Sequence, residues 1–401
     1  MNRLRIARRL EPVKPSITLA VTSKAARLRA EGVDVIGFGA GEPDFDTPAH
    51  IKDAAKRALD AGETKYTHVA GTLALRRAIT KELERAHGLR FTPEEIIVSV
   101  GAKHSLYNLF QVLVDPGDEV IIPAPYWVSY PDMVLLAGGT PVILPTRAEE
   151  GFTVSPEALR RAITPKTRAF VLGSPSNPTG AGYARAALEA LQPIFEAHDF
   201  WIVSDDIYRK LTYRDFHFVE IATMSKALAE RTLIVDGFSK TYAMTGWRLG
   251  YTAAPRSIVD AMSTLQGQST SNVTSVAQAA ALAALEGPQE CVEEMRREFD
   301  RRRAVMVERL RAIPGVTCYD PDGAFYCFPD LSAYVGKRTP EGKLIEGDVG
   351  LCDWLLDAGR IAIVPGSGFG SPGFARLSYA TSMEQIERGL ARLAETLARL
   401  T

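Results

Sequence analysis

The 401-residue sequence predicts an α/β protein, with a large domain built on a mainly parallel central sheet flanked by helices and a smaller α+β domain beside it. Three observations carry this. Between residues 95 and 251, short apolar runs alternate with stretches of helical period, the pattern of β/α units that build parallel sheets. After Thr252 the character shifts to long helical segments, with short strands at Gly323–Phe328 and Ile361–Val364. A chain of this length also exceeds one domain, on a prior of roughly 100 to 200 residues each. The expected boundaries are 1–48 for an N-terminal arm and part of the small domain, 49–285 for the large domain and 286–401 for the C-terminal small domain.

Residues 1–30 read as an arm followed by a short helix, broken at Lys14-Pro-Ser16. A strand-like Val33–Gly37 runs into Gly37-Phe-Gly39-Ala-Gly41-Glu-Pro-Asp-Phe. No helix follows that turn, so the glycines suit a close backbone approach to a small ligand better than a dinucleotide. Thr47 as N-cap with Pro48 at the first helical position opens a helix that Gly62 ends. Ile96–Val98 leads through Gly101-Ala102-Lys103 into a helix with Leu106, Leu109, Phe110 and Leu113 on one face, an arrangement that aims free N–H groups at an anion. The next strands are Glu119–Ile122, followed by Tyr126-Trp127, then Thr140–Leu144, Arg168–Leu172 with its Asn177-Pro-Thr-Gly180 turn, and Phe200–Val203 ending in Ser204-Asp205-Asp206-Ile-Tyr208. Leu233–Val235 and Arg248–Tyr251 are strand-like runs on either side of Lys240. In Glu293–Arg311 the arginines, Arg301–Arg303 included, are balanced by acids and read as a solvated helix face. Pro365–Gly373 holds four glycines and is expected to be mobile, and Ser382 with Gln385 caps a closing helix.

A net charge of -1 gives no electrostatic reason to expect nucleic acid or an anionic membrane. No apolar run is long enough to span a bilayer, and the basic start lacks an apolar core, so a cytosolic location is expected. The four cysteines form no CxxC pair and the histidines no metal spacing, so disulfides and a metal site are not expected. Small-molecule partners remain.

Ligands of parallel sheets sit beyond the carboxyl ends of the strands. Asn177, Asp205 and Lys240 each follow an apolar strand there and so face one crevice. Alone, a lysine such as Lys240 is most often a solvated loop residue. Held at the mouth of a sheet near the cation Arg248 and away from water, however, its amine is lowered toward a nucleophile able to form a Schiff base. An imine-forming lysine, a carboxylate able to hold a ring nitrogen protonated, and an arginine with N–H groups for a phosphate together describe a site for pyridoxal 5'-phosphate.

The joint order of Gly41-Glu-Pro-Asp-Phe, Tyr126-Trp127, Asn177-Pro-Thr-Gly, Ser204-Asp205-Asp-Ile-Tyr208, Ser239-Lys240, Gly246-Trp-Arg248 and Arg376-Leu-Ser resembles the class I aminotransferases of the aspartate aminotransferase family, fold type I among pyridoxal phosphate enzymes. Within it the chain is similar to the prokaryotic subgroup of aspartate and aspartate/prephenate aminotransferases. The resemblance implies a ping-pong amino transfer, with aspartate and 2-oxoglutarate as the first expectation for its substrates and prephenate or aromatic 2-oxo acids as the second. Lys240 is implied as the Schiff-base lysine and proton-transfer group, Asp205 as the partner of the ring nitrogen, and Tyr208, with Asn177, as the partner of the phenolic oxygen. Trp127 is implied to stack on the ring. Gly101, Ala102, Lys103, Ser239 and Arg248 would serve the phosphate side, with Tyr66 reaching it from the partner of a homodimer. Arg376 would grip the substrate α-carboxylate, with Gly41, Trp127 and Asn177 lining the substrate pocket.

The chain departs from the family pattern at Gly237, where some members carry a phosphate-binding serine, and at Asp206 and Ser176, where glutamate and asparagine are more usual. No arginine is evident for a distal carboxylate; Lys103, Lys14 and Ser16 are the candidates. Lyases and decarboxylases of the same fold share the Lys240, Asp205 and Arg376 set. A regulator of this fold would need a DNA-binding module, for which the short N-terminus offers no room.

Overall fold

The structure, a computed structural model, describes residues 6–13 and 17–401; Lys14 and Ser16 lie outside them. Its centre is a seven-stranded sheet. The strands are β1 (Ile96–Ser99), β2 (Glu119–Ala124), β3 (Thr140–Pro145), β4 (Thr167–Gly173), β5 (Trp201–Asp205), β6 (Thr232–Gly237) and β7 (Gly250–Ala253). They lie in the order β1-β7-β6-β5-β4-β2-β3. The pairs from β6 through β3 are parallel, and β7 runs antiparallel to both β6 and β1.

The apolar runs follow from burial on both faces. Every residue of β6 is buried. Leu233 and Val235 pack with Leu106, Leu109 and Phe110 of the helix Ala102–Leu113 on one face. On the other, Phe170 of β4 and Ile202 of β5 meet Leu188, Leu191 and Phe195 of the helix Arg185–Ala197.

The smaller α+β part joins both ends of the chain. Ile36–Gly37 pairs in parallel with Ile361–Ala362, and Tyr326–Cys327, Ala375–Ser378 and Val364–Pro365 form an antiparallel sheet. Ile36 and Phe38 enter one core with Phe299 and Leu310 of the helix Glu290–Arg311, Leu351 of Gly347–Gly359 and Leu393 of Met383–Leu397. Glu293 and Arg297 keep the solvent side of the long helix, but Arg302 and Arg303 do not. Both are buried: Arg302 pairs with Asp44 and Glu298, and Arg303 with Asp300 and Asp320. The balancing acids that suggested a wet surface instead neutralise buried guanidinium groups, which the sequence pattern alone does not distinguish.

Three further expectations change. The helix after Pro48 begins at Ala49, and Thr47 does not cap it. Its hydroxyl instead donates to the Ala243 carbonyl (2.7 Å) and accepts from Trp247 Nε1 (3.0 Å). The last strand starts at Gly250, because Arg248 takes a left-handed backbone at φ 57°. The glycine-rich 365–373 loop is packed: Phe369 is fully buried, its carbonyl accepts from the Tyr126 N–H, and Asp348 accepts from the Ser367 N–H. All four cysteines are free and three are buried.

Gly389, in the closing helix, has no side chain because Phe38 occupies the space. A Cβ there would lie 2.3 Å from Phe38 Cζ and 2.8 Å from an Ile36 methyl. Gly389→Ala in an open helix would gain about 1 kcal/mol. Here it is expected to cost about 1–3 kcal/mol in overpacking, read as a lower denaturant midpoint; a rise in stability would contradict this packing of the two chain ends.

Candidate functional site

Five parallel-running strands present their carboxyl ends to one edge of the sheet, and the residues following them turn into a single cavity of ≈ 520 Å³. Ala102 and Lys103 follow β1, Trp127 follows β2, Asn177 follows β4, Asp205 ends β5, and Ser239 and Lys240 follow β6. Arg248 arrives by a different route. Because β7 is antiparallel, its amino end lies at this same edge, so a residue preceding it reaches the site. The small domain supplies Tyr326 and Arg376, the segment after Phe38 supplies Gly39, Gly41 and Glu42, and the helix Ile17–Ala30 supplies Thr18 and Thr22.

The Lys240 ammonium donates to the Gly41 carbonyl and sits 5.8 Å from the Phe325 ring centre. Burial lowers its pKa to about 8, Glu42 opposes that, and the cations Arg376 and Arg248 reinforce it. At pH 7.5 about a quarter of such amines are neutral, on the order of two hundred times the fraction of an ordinary lysine. Asp205 is the complementary case. Burial pushes its carboxyl up to about 6, while the Tyr130 hydroxyl (2.6 Å) and the Ile207 N–H (3.4 Å) donate to it and favour its charge.

Arg376 is buried at 3% exposure. Its Nη1 donates to Asn177 Oδ1 (3.0 Å) and its Nη2 to the Gly39 carbonyl (2.9 Å), with the guanidinium 4.6 Å from the Tyr326 ring centre. Nε has no partner. A buried guanidinium at the cavity wall with one donor unpaired marks a place for an anion, and a planar fork suits a carboxylate. Tyr208 is buried, its hydroxyl bonded to that of Tyr326 (2.9 Å).

Gly101 takes φ 83° and leaves Arg248 room: a Cβ would stand 2.6 Å from Arg248 Nη2. Arg248 Nη1 donates to the Thr245 carbonyl (2.8 Å), which turns the guanidinium over the N-terminus of the helix Ala102–Leu113. Those free N–H groups and the cation could together hold a phosphate. Gly237 is equally constrained, because any side chain there would strike the Leu249 carbonyl 2.9 Å away. Lys103 lies over the Trp127 ring (4.8 Å), and burial and then Arg248 lower its pKa.

Thus Gly41, Ala102, Lys103, Trp127, Asn177, Asp205, Tyr208, Ser239, Lys240, Arg248 and Arg376 share one cavity. Gly101 sits directly behind it against Arg248. Tyr66 does not line it and is 91% exposed within the chain. Among the lining residues not anticipated from the sequence are Tyr130, Tyr326, Glu42 and Thr18. Tyr130 stands one helical turn beyond Trp127 and packs edge-on against it at 5.3 Å, a spacing that could have flagged it. Tyr326 lies in a strand where an aromatic reads as core. Among the described residues, no cluster of His, Cys, Asp or Glu could hold a metal ion, and no helix is long and apolar enough to cross a membrane.

Residues 33–393 match the family model described as aminotransferase class I and II. The aspartate/prephenate aminotransferase of Cereibacter sphaeroides is 52% identical over 394 residues, covering 98% of each chain. The aspartate aminotransferase of Geobacillus stearothermophilus is 50% identical over 393 residues, 97% of this chain and 98% of that one. The crystal structure of the aspartate aminotransferase from Rhizobium meliloti superposes with a TM-score of 0.96 at 45% identity, covering 100% of both chains. That of Thermus thermophilus, solved with maleate, gives 0.91 at 46%, covering 98% of this chain and 100% of that one. The architecture is that of fold type I, as the motif order implied. With its family model spanning residues 33–393 and relatives matched over nearly their whole length, the chain belongs to the class I and II aminotransferase family.

Proposed function

We propose that the chain is a pyridoxal 5'-phosphate-dependent aspartate aminotransferase that uses 2-oxoglutarate as acceptor, with prephenate and aromatic 2-oxo acids next in line. The observation that carries this reading is the meeting, in one cavity, of a lysine amine lowered to about 8, a buried aspartate and a buried arginine with an open Nε. The relatives named for aspartate and aspartate/prephenate support the substrate class.

The residues fit the cofactor. Arg248 and the 101–103 turn would hold its phosphate, in a cradle that a Cβ at Gly101 would fill. Asp205 would hold the ring nitrogen, Trp127 would cover the ring face, and Asn177 and Tyr208 would reach the phenolic oxygen. When bound, the cofactor supplies an electron sink for the charge that develops at the substrate Cα.

The protein does the rest. Arg376 orients the donor by its α-carboxylate, held against rotation by Asn177 and Gly39. Lys240 Nζ, as a neutral amine, takes the proton from Cα of the donor and, in the second half of the cycle, delivers one to Cα of the acceptor, which a pKa near operating pH favours. Above about pH 6 the charged Asp205 keeps a cationic ring nitrogen stable, and Tyr130 fixes the carboxylate that does so. Lys103, at the cavity wall, is a candidate for the distal carboxylate. Tyr66, wholly exposed in its own chain, fits a homodimer in which it completes the partner's phosphate site. Four free cysteines fit a reducing, cytosolic setting. The pairing of Ile36–Gly37 with Ile361–Ala362 supports counting the N-terminal segment with the small domain, in a division set at 48 and 285.

The test of function is spectroscopic. The protein with pyridoxal phosphate should be yellow, bleach with aspartate or glutamate as amine passes to the cofactor, and recover with 2-oxoglutarate. Bleaching without 2-oxo acid product would point to another bond being broken, and no bleaching would end the proposal.

Gly101→Ala is expected to displace Arg248 and weaken cofactor affinity at least tenfold, about 1.4 kcal/mol, with the fold retained. Unchanged affinity in a spectroscopic titration would remove Arg248 from the phosphate site.

A further inference from the structure

The segment 39–47 crosses from the small domain to the large one, and it touches the site at each step. The Gly39 carbonyl accepts from Arg376 and the Gly41 carbonyl from Lys240. Glu42 accepts from the Thr245 hydroxyl (2.7 Å), and Thr47 ties the far end to Ala243 and Trp247. Between these ties, the strap has one anchor on the small domain. Asp44 Oδ1 accepts from Arg302 Nη1 at 2.7 Å, and the same guanidinium lies 5.3 Å from the Phe45 ring centre and 5.7 Å from that of Phe299. Phe45 meets Phe299 edge-on at 5.4 Å. Glu298 accepts from Arg302 Nε at 2.8 Å, which fixes the guanidinium on its own helix.

Arg302 is 7% exposed and touches nothing in the cavity itself. Its contacts nevertheless run through two residues to the two carbonyls that meet Lys240 and Arg376. Taking the lysine reading above as given, we propose that Arg302 is a positioning residue: by clasping Asp44 and Phe45 it holds the 39–47 strap down over Lys240, covering the strap side of a half-buried amine and keeping the Gly39 carbonyl on Arg376.

The charged groups facing Lys240 are Glu42 from the strap, Arg376 from the small domain, Arg248 ahead of β7 and Asp205 at the end of β5. Burial outweighs all of them. A lifted strap admits water and carries Glu42 away. Losing the first raises the pKa, losing the second lowers it, and the larger effect is the first.

The experiment is reductive methylation of the full-length chain before cofactor is added, across roughly pH 6 to 11, reading the Lys240 peptide by mass. Asp44→Ala removes the clasp while leaving Arg302 its Glu298 partner, so the buried guanidinium stays paired. Arg302→Met removes it from the other side, and Arg297→Met, exposed and paired only with Glu293, is the control. The wild type is expected to titrate near 8. Asp44→Ala and Arg302→Met are expected to move the midpoint up by at least about 0.5 unit, slowing labelling at neutral pH about threefold. Arg302→Lys, which keeps a cation against Asp44, should recover part of the shift, and Arg297→Met should show none. A wild-type midpoint near 8 that Asp44→Ala leaves within about 0.2 unit overturns the strap alone, whatever Arg302→Met does. A wild-type midpoint near an ordinary lysine's overturns the lysine reading, and the strap with it.

Discussion

A guanidinium kept out of water must be fully paired or left with a donor for a ligand to meet, and Arg376 is the second case. Two of its nitrogens are tied to the turn after β4 and to the segment after Phe38, while the third has no partner. Removing such a charge from water costs several kcal/mol unless bonds to protein and ligand repay it. Those two bonds therefore do more than orient a side chain. They join a small-domain strand, a large-domain turn and the crossing segment at one atom group, and the cavity takes its shape between them. Burial also pulls the Arg376 pKa down, the sign expected for a cation short of partners.

The same desolvation acts with opposite results on the two groups below it. It lowers the amine of Lys240 toward neutrality and raises the carboxyl of Asp205, so both move toward the range where proton transfer is useful. Tyr130 and the Ile207 N–H then pull Asp205 back toward its charged form. A site built this way is unfavourable in isolation. For Asp205 the sign is explicit: with a folded pKa raised to about 6, the empty protein loses stability as pH rises from the unfolded value through 6, and a cationic partner restores it.

Much of this was legible because parallel strands are written plainly. An apolar run followed by a polar residue marks a carboxyl end, and Asn177, Asp205 and Lys240 were placed on one edge by that rule alone. Arg248 needed more: its route depends on β7 being antiparallel, and an apolar run carries no direction. The arginines of Glu290–Arg311 misled for a related reason. Charge balance along a helix looks the same whether the partners are in water or, as for Arg302 and Asp44, 258 residues apart in a buried contact. Tyr326 and Thr18 were invisible because a strand tyrosine and a helix threonine have ordinary structural roles, and only the cavity separates these two from the rest. Glycines divided similarly. Those of 365–373 suggested mobility, yet Gly370 is small because the Tyr126 ring lies against it, 2.5 Å from where a Cβ would be.

The central claim is that Lys240, alone among the lysines, is the amine to which the cofactor is joined. Borohydride reduction of the protein with bound pyridoxal phosphate, followed by peptide mass mapping, tests it directly. The account predicts a single pyridoxyl adduct, on the peptide carrying Lys240. An adduct on Lys103 or any other lysine with Lys240 unmodified, or no adduct in a protein that retains the cofactor, would contradict it.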